Sequence, residues 1–474
     1  MSISSILNIA KNALLATQYS IQITANNISN VNTEGYSRQA PVLEPEASSR
    51  IGNAILGNGV YIKGVIRYTD RYLERQLSEK NTELEENKVY HTYYERIEAI
   101  LNEDNSKLSE SITEFFNNWH ELSSDPYSVS LREGIKASGE NLCRVIRNIY
   151  NSLFQLQIEL DEKLKVEIED INRITREIAD LNRRIFESSS GTTGDNDLMD
   201  KRQTLIRELS GKLKVTYFED DFGMITVLTK SGNLLVDGGK SYNLSPIDTG
   251  TNGFSGVAWV DPLGKLVNIT DTLEGGELRA LIKMRDKVIP EFISDLDSLA
   301  EALIREVNNV HVKGYTLFGT QNVFFFKNIQ TYFAKDIDLS DEVKSSIRNI
   351  VASEGLADTG VPLGNNIALT IALVSNQKIQ FQNKVTGNIL NCTITDFISS
   401  LNSKIGQLAK NASQVKEFSE ATYSIMEKQR ESISGVSIDE EVANLIKYQY
   451  AYQAASRLFN IADELFKSLI EAVR

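Results

Sequence analysis

Three histidines, two cysteines and 64 Asp and Glu residues are the groups in this 474-residue chain from which a reactive site could be built. Their spacing argues against most such sites. His120-Glu121-Leu122-Ser123-Ser124 opens like the helical zinc-protease motif, in which a second histidine four residues on completes the ligand set from the same face. Ser124 stands there instead, so the metal would lack a ligand. Gly52 and Gly57 have the spacing of a phosphate-binding loop, yet Asn58 replaces the lysine that would meet the phosphates. No Gly-x-Ser-x-Gly elbow presents a nucleophile. Acid pairs abound, and solvated helix faces account for most of them. Cys143 and Cys392 are too few for a disulfide framework or a thiolate cage, and both are expected as buried small hydrophobes. The expectation is a protein without cofactor, metal or catalytic residue, and not an enzyme.

Composition narrows the partners. A net charge of −14 and a pI near 5.0 disfavour nucleic acid and anionic membrane surfaces, which both need clustered Lys and Arg. Protein partners are expected, and 41% hydrophobic residues can bury real cores. Nothing approaches the ~20 apolar residues of a membrane span. The N-terminus lacks a basic leader, and Asn8, Lys11 and Asn12 interrupt its apolar run, so no secretory signal peptide is read there. On these grounds alone the chain would be placed in the cytoplasm.

The elements that must position any functional surface lie at the two ends. Ile438, Leu445, Tyr452, Phe459, Phe466 and Val473 recur at seven-residue steps, with Glu441, Tyr448, Ala455, Ala462 and Leu469 in the intervening places. Leu7, Leu14, Ile21 and Ile28 keep the same step at the N-terminus, with Ala10, Thr17, Thr24 and Val31 between. This is the period of a coiled coil. From Met1 to Thr33 the only charged side chain is Lys11, where the overall composition would place about eight. A helix so poor in charge is either the core of a compact domain or a helix covered by other subunits. Leu7, Leu14, Ile21, Ile28, Leu445, Tyr452, Phe459 and Phe466 are the expected assembly interface.

Between these ends, Asn30 to Tyr36 reads as a turn, and Ser37 to Arg67 as loops and short strands. Helix is expected from about Asp70 to Leu101, in shorter pieces to Leu122, and from Leu131 to Glu187 as one long strut. Ser188 to Asp195 is a linker. Strand-like runs follow at Lys214–Phe218, Met224–Thr229, Val257–Val260 and Leu266–Ile269, separated by breaks at Ser231-Gly232-Asn233 and Asp237-Gly238-Gly239. Helix resumes from Gly276 to Val312, the signal is mixed from Lys313 to Asp396, and Ser399 to Ser432 is helical again. The predicted fold is mainly α with an inserted β-rich domain, elongated and nested, with the terminal helices pairing as a coiled coil. Its units are 1–68 plus 434–474, 69–210 plus 277–433, and 211–276.

The segment from Ala25 to Arg38, carrying Asn26, Asn27, Asn32, Gly35, Tyr36 and Arg38, resembles the N-terminal signature of the bacterial flagellar rod, hook and hook-associated axial proteins. Ser434 to Leu469 resembles the matching C-terminal element, and Gly435 with Glu440 and Glu441 is most similar to members that sit at the hook–filament junction. Asp200-Lys201-Arg202-Gln203 and Asn308 to Gly314 extend the likeness more loosely into the middle. The resemblance implies export through the flagellar type III pathway, which reverses the cytoplasmic expectation. It also implies terminal helices that form an inner tube, and a structural adaptor between hook and filament. Implied partners are copies of the chain in a helical ring, the hook protein, a second junction protein and an export chaperone on the C-terminal helix. Another axial protein, hook or distal rod, is the nearest alternative. The long helices of the middle weigh against a hook protein, whose middle would be mainly β. An axial scaffold carrying a hydrolase would need a convergent acid site that the sequence does not display.

Overall fold

A computed structural model describes residues 3–51, 54–102, 107–188, 196–249, 253–356 and 362–473. The chain begins with helix α1 (Ile3–Ser29) and ends with helix α12 (Ile438–Val473), which pack along one another. They run antiparallel, because Asn27 at the end of α1 bonds Glu441 in the first turn of α12. After α1 a two-stranded ribbon forms from β1 (Gln39–Pro45) and β4 (Val60–Arg67), with a small hairpin of β2 (Ser49–Ile51) and β3 (Ala54–Leu56) between.

Helices α2 (Arg71–Asn102), α3 (Leu108–Ser124) and α4 (Val129–Ser188) follow. The 60 residues of α4 contain no proline, and the stripe from Leu142 through Leu153 and Leu164 to Ile185 is buried throughout. At 1.5 Å per residue it is about 90 Å long. It is no bare strut, however, because it serves two cores. Its first half, to Leu160, packs with α3 and the later helices; its second half, from Leu164, packs with the segment that follows. The two are divided by a polar layer. There Asp161 accepts from Arg285 at 2.6 Å and from the Ser255 amide at 2.8 Å, and Gln157 donates to the Arg285 carbonyl at 2.7 Å.

The second core holds α5 (Asn196–Lys212) and two antiparallel sheets. One is the meander β5 (Val215–Glu219), β6 (Ile225–Thr229), β7 (Leu234–Asp237) and β8 (Lys240–Ser241); the other has the order β11 (Leu266–Asn268), β10 (Ser255–Val260), β9 (Leu244–Asp248). Both glycine-rich breaks of the sequence are hairpin turns within the first sheet, with Gly232 and Gly238 at positive φ. The apolar side chains of these strands cluster with Ile171, Ile174 and Ile178 of α4 and with Leu209 of α5, so the β segment has no separate core. Most of the expected linker, residues 189–195, lies outside the described residues.

Helix α6 (Gly276–Lys283) continues through a π turn (Met284–Val288) into α7 (Ile289–His311). The mixed region resolves into short helices α8 (Phe333–Asp336), α9 (Asp341–Ser345) and α10 (Asn366–Val374), and hairpins β12 (Gly355–Leu356) with β13 (Pro362–Leu363) and β14 (Ile379–Gln382) with β15 (Ile389–Cys392). Asn308 holds this region to α7: its Oδ1 accepts from the Phe325 and Phe326 amides and its Nδ2 donates to the Phe326 carbonyl. Helix α11 (Ile394–Ser434) starts five residues earlier than the sequence predicts. Thr393 caps it by accepting from the Asp396 amide, and Ile394, Phe397 and Ile398 turn into the core.

His311 closes α7 with both ring nitrogens engaged. Nδ1 donates to the Val323 carbonyl at 2.7 Å, and Nε2 accepts from the Val351 amide at 2.9 Å. Full burial, with the buried Arg132 guanidinium nearby, pushes its pKa down to about 4. A base whose folded value lies below its unfolded value near 6.5 stabilises the fold fully above that pH. That stability is lost as pH falls from 6.5 toward 4, by on the order of 3 kcal/mol. Urea midpoints should therefore fall over that window, and less steeply in His311→Asn, which cannot titrate. Equal slopes for the two proteins would refute this assignment.

Candidate functional site

The signature residues converge where the terminal helices meet. Asn27, buried on the inner face of α1, is the hub: its Oδ1 accepts from the Tyr36 hydroxyl at 2.9 Å and the Gln39 amide at 3.0 Å. Its Nδ2 donates to the Gln39 carbonyl at 2.8 Å and to Glu441 at 3.0 Å. Arg38 spans both acids at the head of α12, through Nε to Glu441 at 2.8 Å and through Nη1 to Glu440 at 2.7 Å. Asn26 ties the turn by accepting from Asn30 at 3.0 Å. Burial, with Asp197, Asp200 and Glu441 nearby, holds the Tyr36 phenol above its ordinary pKa, so it stays a donor. Asn32 is exposed at the turn and stands outside this network.

Two glycines make the crossing passable. Gly35 has φ +79°, and a Cβ there would run into the Thr204 hydroxyl of α5. A Cβ on Gly435 would run into the Glu431 carbonyl, to which the Gly435 amide is bonded. Beside it the Arg38 amide donates to the Ser434 carbonyl at 2.8 Å, joining the N-terminal loop to the end of α11.

Below this crossing lies a second, charged clamp that the sequence reading did not anticipate. Glu74 of α2 accepts from Arg430 of α11 at 2.7 Å and from Arg207 of α5 at 3.0 Å, and all three side chains are buried. Arg430 also donates to the Gly35 carbonyl at 2.9 Å. Asp200 accepts from the Ser37 amide at 2.9 Å and from Arg67 at 2.7 Å. The available signal was Arg430 itself, a charge on the inward face of α11 otherwise marked by Ser419 and Ser434.

The seam between α1 and α12 uses small residues. Those buried on α1 are Ala10, Ala16, Ser20, Thr24 and Asn27; those buried on α12 are Glu441, Ala455 and Ala462. The buried places on α12 belong to the intervening series of the heptad pattern, whereas on α1 only Ala10 and Thr24 do, and Ala16, Ser20 and Asn27 lie off both series. Leu7, Leu14, Ile21, Ile28, Leu445 and Phe459 are half-buried at its margins, whereas Tyr452 and Phe466 are exposed. Leu15, Tyr19, Ile446, Tyr450, Ile461 and Leu465 face outward as well. Neutral side chains of this size in water form an apolar surface far beyond scattered exposure.

The reactive groups are dispersed. His91 lies in α2 and His120 is exposed on α3, while His311 is internal. Among the described residues no three His, Cys, Asp or Glu side chains gather as a metal site, and no helix is long and apolar enough to cross a membrane. Cys143 is buried, and burial pushes its thiol up to about 12. Cys392 corrects the expectation of burial: it is half-exposed at the end of a hairpin strand. Gly52 lies outside the described residues, and Asn58 donates to the Ala47 carbonyl.

Known proteins resemble this chain in sequence and in fold. Residues 94–326 match the family model for the flagellar hook-associated protein FlgK helical domain, residues 7–36 that for the flagella basal body rod protein, and residues 428–472 that for the flagellar basal body rod FlgEFG protein C-terminal region. Flagellar hook-associated protein 1 of Bacillus subtilis is 27% identical, with 98% of each chain covered. Its namesake in Salmonella typhimurium is 24% identical, over 98% of this chain and 99% of that one. The solved flagellar hook junction protein FlgK from Burkholderia pseudomallei superposes with a TM-score of 0.64 at 14% identity, covering 76% of this chain and all of that one, which shows a shared fold. With matches at both ends and through the middle, the chain belongs to the rod, hook and hook-associated family of flagellar axial proteins, on the hook-associated protein 1 branch.

Proposed function

We propose that this protein is the structural subunit that joins hook to filament in the bacterial flagellum, assembling through its terminal helices after export. The observation that carries the reading is the division of labour on α1 and α12: small side chains close the helix pair, and large apolar ones remain outside it. Each outward Leu, Ile or Phe buried against a neighbour contributes ~1.5–3 kcal/mol, so a ring of copies gathers many such terms. The terminal unit, 1–68 with 434–474, is the assembling part, and Leu7, Leu14, Ile21, Ile28, Leu445, Tyr452, Phe459 and Phe466 contribute to contacts between copies at the margins of the seam.

Copies of the chain are the lateral partners, the hook protein the partner on one side and a second junction protein on the other. An export chaperone fits the exposed face of α12, which would otherwise invite aggregation before assembly. Catalysis is no part of this reading: Glu74, Asp200 and Glu441, the buried acids at the crossing, are each bonded to an arginine and act there as structural links. Deleting the gene should leave complete hooks while filament protein is shed into the medium. Full-length filaments on the deletion strain would overturn the reading.

A further inference from the structure

A second apolar stripe lies on α11, outside the terminal helices. Val415, Phe418, Thr422, Ile425, Gln429 and Ile433 follow one another at steps of three and four, so they share one helix face. None is charged. Phe418 is 73% exposed and Ile425 62% exposed, while the opposite flank of α11 packs on α2 through the Glu74–Arg430 and Asn87–Ser419 contacts. The charges of this stretch, among them Lys416, Glu420 and Lys428, fall off the stripe.

We infer that this stripe is a contact surface for a second copy of the chain, so that subunits touch along the helical domain as well as through the terminal helices. This rests on the assembly proposed above. Continuity points to the occupant: after Ser434 and Gly435 the exposed apolar series runs on into Ile438, Val442 and Ile446 of α12, the helix that assembles. Charge points the same way. Each copy carries −14, and like charges brought together repel, so a lateral contact between copies must fall where acids are missing. From Val415 to Ile433 the face is about 27 Å long at 1.5 Å per residue, the span of a substantial helix contact.

A photo-reactive benzoylphenylalanine placed at position 418 tests this in assembled flagella, with the same probe at position 452 reporting on the terminal helices. The expected result is a crosslinked homodimer from both positions. A dimer from 452 with none from 418 overturns the inference and leaves the proposed function standing; silence at both positions overturns both. Capture of a different flagellar protein at 418 also overturns it. The paired substitution Phe418→Glu with Ile425→Glu should leave the melting temperature of the purified subunit within about 2 °C, as exposed positions do, and should make filaments detach at lower shear. Unchanged shear resistance would contradict the contact.

Discussion

Phe466→Asp should abolish filament retention while leaving the purified subunit as stable as the wild type. The side chain is 46% exposed in the single chain, so little is lost on removing it there. In an assembly that covers it, the aspartate loses the ~1.5–3 kcal/mol of an apolar contact and adds the cost of desolvating a carboxylate, repeated at every copy. Ala462→Leu should behave the opposite way. Ala462 is fully buried in the seam, and forcing three more carbons into it costs ~1–3 kcal/mol within the subunit itself. Urea unfolding of the purified proteins, set beside filament retention in cells, separates the two. If Phe466→Asp strains grew and kept normal filaments, assembly through the outer face of α12 would be wrong. Phe459 is a weaker test than its place in the heptad suggests, because α1 already half covers it.

Glu74→Gln should be the most damaging single change within the subunit. The carboxylate lies between Arg207 and Arg430 with all three side chains buried, and the amide leaves two guanidinium groups facing one another without a counter-charge. Breaking a buried ion pair from one side typically costs about 3–5 kcal/mol. The damage should concentrate where Arg430 reaches the Gly35 carbonyl, so limited proteolysis should cut near residues 30–38 in the variant before it cuts in wild type. Adding Arg430→Gln should recover part of the loss, since the surplus charge is removed with its partner. A variant with wild-type urea midpoint and cleavage pattern would show that the clamp is incidental.

Periodicity made the helices legible. The stripe of α4 could be read from spacing because every turn contributes an Ile or Leu that is buried in one core or the other. The division between those cores could not, since it depends on Arg285 arriving beside Asp161 from 124 residues away. The signature residues were legible by resemblance, but their joint bonding through Asn27 needed the ends brought together across 414 residues. The seam between the terminal helices is closed by smaller side chains than the heptad series Leu7, Leu14, Ile21 and Ile28 suggests. Heptad reading assigns the largest apolar side chains to the interior, whereas here alanine, serine and threonine occupy it and the larger residues lie at its margins or outside it. Strands β7, β8 and β9 escaped notice because they are two to five residues long and are interrupted by Gly238, Gly239 and Pro246.

The alanine-rich closure of the α1–α12 pair also sets a dimension. Helices whose facing side chains are this short can approach toward the near end of the 8–10 Å range of axis separations. A cylinder whose wall is laid from such slim double strands is thin for the number of helices it contains. In the ring of copies proposed above, that economy of wall would leave a wider bore at a given outer diameter.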